Sequence, residues 1–146
     1  MSARLNFRCL LAAAIFFLLA AGASGAQSLI SEIKAEHDPA RRAEKALEFA
    51  DAAFNNAHDF YSKGQIHKGD AELENMMAAL EECVSSLDVA RKAKYYKKAE
   101  MNVASLQRRM QGLLDDIALQ QRGWAEYTQR KLDEAHDKLL AGVMRK

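Results

Sequence analysis

Breakers of regular structure are almost missing from this chain. It has one proline, Pro39, and seven glycines in 146 residues. Beyond residue 26, Ala, Leu, Glu, Lys, Gln and Met dominate, which favours helix nearly without interruption, and no strand pattern occurs anywhere. Cysteine is equally sparse. Cys9 falls in an N-terminal leader and Cys83 stands alone after it, so removal of the leader rules out an intramolecular disulfide and leaves stability to packing. No excess of one charge exists either, since 21 basic residues face 20 acidic ones. A whole-protein attraction to nucleic acid is therefore not expected.

The motifs of common chemistry are also absent. There is no Gly-x-Ser-x-Gly elbow and no glycine-rich loop to cradle phosphates. Haem attachment through Cys-x-x-Cys-His has no candidate. A di-iron bundle needs Glu-x-x-His on two helices, and here only Asp133 stands three residues before His136, with no second copy. His37 is near a turn, His58 follows an alanine layer and His67 is near a hairpin, which suits structural or solvent roles. Met76, Met77 and Met110 read as core filler, and Cys83 as an inert core thiol. No catalytic residue, cofactor or metal is expected. A metal- or haem-binding bundle involving His136 or His58 stands as the third reading.

What is present begins with residues 1–26. Arg4 and Arg8 give a positive start, residues 9–21 an apolar centre, and Ser24-Gly25-Ala26 the small residues a signal peptidase requires. The expectation is export, periplasmic or secreted, with cleavage between Ala26 and Gln27. The apolar run is short for a membrane span of about 20 residues, although an uncleaved leader would serve as an anchor. Cleavage leaves 120 of the 146 residues, with 19 basic and 20 acidic ones, a net charge of −1. That is one ordinary domain.

The mature chain reads as all-α, an antiparallel bundle of about four helices over residues 38–146, with a short helix or linker over 27–37. Asp38-Pro39 is an N-cap followed by proline at the first helical position. Ala43, Leu47, Ala50, Phe54, Ala57 and Tyr61 then form a heptad seam in which alanine fills every second layer, so a neighbouring backbone can come close. Gly64 follows the last turn. A helix over 66–86 carries Leu73, Met76, Leu80, Cys83 and Leu87, and Ser85, Ser86 and Asp88 mark a break. Without that break, the alternative is a long hairpin that must form a homodimer. A further helix carries Tyr96, Ala99, Val103, Leu106, Met110, Leu113 and Ile117. The last carries Trp124, Thr128, Leu132, Ala135, Leu139 and Val143, with Trp124 as a core plug and Glu126–Arg130 and Glu134–Lys138 as i,i+4 pairs.

The most suggestive surface feature is basic. Arg91, Lys94, Lys97, Lys98, Arg108 and Arg109 fall within about 120° of one another on a helix, over about 25 Å, with Tyr95 beside them. Such a stripe suits an acidic protein partner, anionic lipid head groups or an envelope polyanion. The competing reading pairs it with Glu72, Glu74, Glu81 and Glu82 of the preceding helix.

Phe60, Gly64, Gly69, Leu73 and Met76 are spaced in a way that resembles the centre of a tetratricopeptide unit, over residues 43–80. The resemblance implies a helical hairpin alone, because no second copy lies 34 residues on and an array needs about three units. The leading functional expectation is an exported, non-enzymatic bundle acting by protein contact, as an adaptor, chaperone-like or envelope-associated protein. A membrane-surface or polyanion-binding module is the alternative.

Overall fold

A computed structural model describes residues 23–145. Most of the expected leader, residues 1–22, lies outside them. The described chain is helical: α1 (Ala23–Ala35), α2 (Pro39–Ser62), α3 (Ile66–Ala90), α4 (Ala93–Asp116) and α5 (Gly123–Met144), with one 3₁₀ turn at Leu119–Gln121. Among the described residues there is no strand, and no helix is long and apolar enough to cross a membrane.

Local chemistry accounts for the first hairpin. The Asp38 carboxylate accepts from the Ala40 N–H at 2.9 Å, and Pro39 occupies the first helical position, which together satisfy the exposed start of α2. At its end, the Gln65 N–H donates to the Phe60 carbonyl and the Gly64 N–H to the Tyr61 carbonyl, at 2.9 and 3.0 Å. This is a Schellman closure, and Gly64 takes the left-handed φ of 72° that it requires. The chain reverses within three residues, and α3 returns along α2.

Alanine decides how closely these helices pack. Ala43, Ala46, Ala50, Ala53 and Ala57 are all buried, with Leu47, Phe54 and Tyr61 between them. Small side chains on this face let the α2 and α3 backbones approach, and these two helices form the most extensive pair in the molecule. At the turn end, Gly69 of α3 sits under the Tyr61 ring, where an added Cβ would lie 2.8 Å from two ring carbons.

The second hairpin pairs α4 with α5, burying Tyr96, Ala99, Val103, Leu106, Met110, Leu113 and Leu114 against Ala125, Thr128, Leu132 and Leu139. Buried Thr128 satisfies its hydroxyl on the Trp124 carbonyl, 2.9 Å away. The hairpins stack with α3 against α5 and α2 beside α4, whereas consecutive α3 and α4 barely touch and lie diagonally. Glu44 meets Lys98 and, further along both helices, Asn55 meets Arg109. Helices α2 and α4 therefore run parallel, and so do α3 and α5, the return arms of the two hairpins. One core runs through all four helices, and Ile33 of α1 joins it at the end where α2 begins.

Sequence expectations are corrected at the end of α3 and at Trp124. The break expected at Ser85, Ser86 and Asp88 comes a few residues later, at Arg91 and Lys92, because α3 continues to Ala90. Ser86 is buried and accepts from Arg42 Nε at 2.8 Å, so its hydroxyl joins α3 to α2 instead of competing for α3 backbone groups. The chain turns at Arg91, which has a left-handed φ of 49° and closes α3 through its N–H on the Leu87 carbonyl. With α3 and α4 separated there, the elongated-hairpin alternative does not apply. Trp124 is 39% exposed, and Ala125 fills the core layer expected for it. Val143, half-buried, packs against the core as expected, whereas half-buried Ala135 lines the surface between α3 and α5.

Cys83 is fully enclosed, and burial pushes its thiol up to about 12. In folded protein Cys83 is expected to resist a thiol-specific chromogenic reagent at pH 8 and to react only in denaturant. Rapid reaction without denaturant would contradict this packing.

Candidate contact surfaces

The basic stripe is divided by the fold. Arg91 is not on α4; it forms the left-handed turn that ends α3. Lys98 donates to Glu44 of α2 at 2.8 Å. Arg109 reaches Asp51 and Asn55 of α2, with its guanidinium 4.6 Å from the Phe54 ring centre. These two residues span the groove between parallel α2 and α4, whose floor is Leu47 and Leu106. The acids that meet the stripe come from α2 because α4 lies diagonal to α3. Glu82, one of the α3 acids expected there, instead pairs with Arg42 at 3.3 Å.

The remaining stripe residues face outward in different settings. Lys97 pairs along its own helix with Glu100 at 3.0 Å, and the Lys94 ammonium lies 4.9 Å from the centre of the half-buried Tyr95 ring. Arg108 is exposed. Helix α4 also has Lys94 and no acid in its first turn, against the preference of a positive helix end. The surviving basic surface is therefore Arg91, Lys94 and Arg108, with Lys97 partly offset by Glu100.

His136 is used inside the second hairpin, where Nε2 lies 3.0 Å from Glu100. His37, His58 and His67 are exposed and separate. Among the described residues, no three His, Cys, Asp or Glu side chains are grouped to hold a metal ion. Glu134 takes Lys131 at 2.7 Å in place of the expected Lys138.

Several carboxylates are held in charged form. Hydrogen bonds from Lys45, Lys97 and Lys131 are the leading reason that Glu36, Glu100 and Glu134 sit below the ordinary carboxylate range; His136 adds to the effect at Glu100. Lowered folded values mean that these groups stabilise the fold above their unfolded pKa of about 4.3 and lose that contribution as pH falls through the folded values. The melting temperature is expected to hold from pH 7 to about 5 and to decline below about 4. Glu100→Gln should make that decline shallower in thermal melts, and an identical slope would remove Glu100 from the account.

An aromatic surface lies at the other end of the bundle. Trp124 and Tyr127, 39% and 38% exposed, pack with ring centres 5.2 Å apart. The Arg130 guanidinium and the Lys131 ammonium lie 6.0 and 5.8 Å from the Tyr127 ring. Trp124 opens onto a shallow depression of about 710 Å³ shared with the α2–α3 turn, including Ile66, Lys68 and Gln121. No family model, curated protein or solved structure matches the chain. The surface chemistry alone must therefore carry the functional reading.

A third face is the groove of about 660 Å³ between α3 and α5. Its floor is Met77, Leu80, Val84 and Ala135, and Val89 at its far end is 64% exposed. Sequence reasoning missed both this groove and the Trp124 surface. The first arises only when α5 is laid beside α3, and the second was hidden by assigning Trp124 to the core.

Proposed function

We propose that the protein is an exported, non-enzymatic helical bundle that works by protein–protein contact, as an adaptor, chaperone-like or envelope-associated protein. The observation that carries this reading is the exposed Trp124–Tyr127 pair with Arg130 and Lys131 around it. Tryptophan, tyrosine and arginine are enriched among hot spots at protein interfaces, and here two adjacent rings, 39% and 38% exposed, form a joint aromatic surface rimmed by cations. Trp124→Ala and Tyr127→Ala are expected to lose a partner that the unaltered protein retains in extracts of its own compartment, with unchanged helical circular dichroism. Retention by both variants would sink the reading.

Export rests on the leader. Ala26 and Gln27 lie within α1, and cleavage between them leaves Ile33, the α1 residue in the core, in the mature chain. Intact mass of the protein recovered outside the cytoplasm should match a chain beginning at Gln27. A full-length mass there would indicate a retained anchor.

The second reading, binding to anionic lipid or an envelope polyanion, is favoured by the exposed basic residues along α4, Lys94 and Lys97 near its start and Arg108 further on. Charge reversal at Lys94, Lys97 and Arg108 should abolish salt-sensitive sedimentation with anionic vesicles. Binding that survives reversal excludes that surface as the cause.

A further inference from the structure

The α3 and α5 walls of the third groove carry opposite charge at matching intervals. On α3, Glu81 and Asp88 line the groove seven residues apart and are exposed, Asp88 also accepting from the Tyr96 hydroxyl at 2.7 Å, and Glu74 lies one interval further along the same helix face. On α5, Lys131 and Lys138 recur at the same interval, and Glu81 faces Lys131 closely enough to favour its charged form. Glu134, the acid on the α5 wall, is held by Lys131 along the helix. Between the walls lies the apolar floor of Met77, Leu80, Val84 and Ala135. Seven-residue charge rows flanking an apolar seam are the pattern by which helices choose partners and orientation.

We propose that this groove is the interface of a two-fold homodimer, in which α3 of each copy lies on α5 of the other. The parallel course of α3 and α5 makes the pairing self-complementary. A two-fold axis along the bundle places the partner's acidic α3 row over the basic α5 row at the same height, Glu81 over Lys131 and Asp88 over Lys138. The perpendicular two-fold would set α3 against α3 and acid against acid, so charge selects one arrangement. Val89, Met77 and Val84 then lose their remaining exposure. The inference goes beyond the contact reading: the groove shares Lys131 with the Trp124–Tyr127 surface but not the depression beside Trp124, and Glu81→Lys tests it away from that surface.

The test uses protein purified from its host and two single charge reversals at accessible positions, Glu81→Lys and Lys131→Glu. Sedimentation velocity should show a dimer for the unaltered protein, with dissociation favoured by salt. Each reversal places like charges opposite one another twice per dimer and should weaken association roughly tenfold or more. An equimolar mixture of the two variants restores both contacts and should recover a heterodimer. If a reversed variant loses its helical circular dichroism, Glu81→Gln and Lys131→Gln replace the pair, with a smaller weakening expected. A monomeric unaltered protein, a dimer indifferent to both substitutions, or a mixture that fails to associate overturns the proposal. Partner retention by the Trp124→Ala protein is read separately, so failure of the dimer and failure of the contact reading are distinguishable.

Discussion

Ala50→Leu should lower stability by about 3 kcal/mol, near the upper end of ordinary overpacking. Ala50 is fully buried on the face of α2 where Ala43, Ala46, Ala53 and Ala57 are also enclosed. Three added carbons there have no space to enter unless α2 moves away from α3, and that movement would also loosen neighbouring layers of the seam. For a domain of this size, such a loss corresponds to a melting-temperature drop of about 10 °C. Ala52→Leu makes the same chemical change at an exposed position of the same helix and should be near neutral. Urea unfolding of both variants measures the difference. Equal midpoints would mean that the α2–α3 approach does not depend on small side chains.

Leu132→Ala should cost a similar amount, about 3 kcal/mol, by the opposite route. Leu132 is completely buried on α5, and truncation leaves a cavity that the surrounding helices fill only in part; such changes cost about 2 to 5 kcal/mol. Because α5 packs on both α4 and α3, the loss should be felt by the whole bundle. Unfolding followed by far-ultraviolet circular dichroism and by Trp124 fluorescence should therefore shift together. Two separated transitions would show that the hairpins unfold independently. Leu140→Ala removes the same atoms from an exposed position and should cost far less.

The helices were largely legible because their signals are local. Asp38-Pro39 marked the start of α2, Gly64 marked the turn, and the three-and-four spacing of Ala43 to Tyr61 identified the buried face. Ser86 was misread because its hydroxyl finds Arg42, 44 residues away, and nothing in the local sequence reveals that partner. Trp124 was misread because Ala125 and Trp124 both fit the spacing to later core positions; size favoured Trp, yet the layer admits only the smaller residue. The charged surfaces depended on topology. Chain order suggested α3 as the partner of α4, whereas diagonal placement gives Lys98 and Arg109 to α2. The seven-residue rows of α3 and α5 are visible in sequence, but only their parallel stacking makes them two walls of one groove.

The central functional claim concerns where another protein touches this one. A photoreactive phenylalanine analogue placed at Tyr127, and separately at Lys94, in protein expressed in its native compartment tests that claim most directly. The account predicts an ultraviolet-dependent adduct from position 127 containing a different polypeptide, and none from position 94. Adducts formed only from position 94, or from neither position, would contradict it.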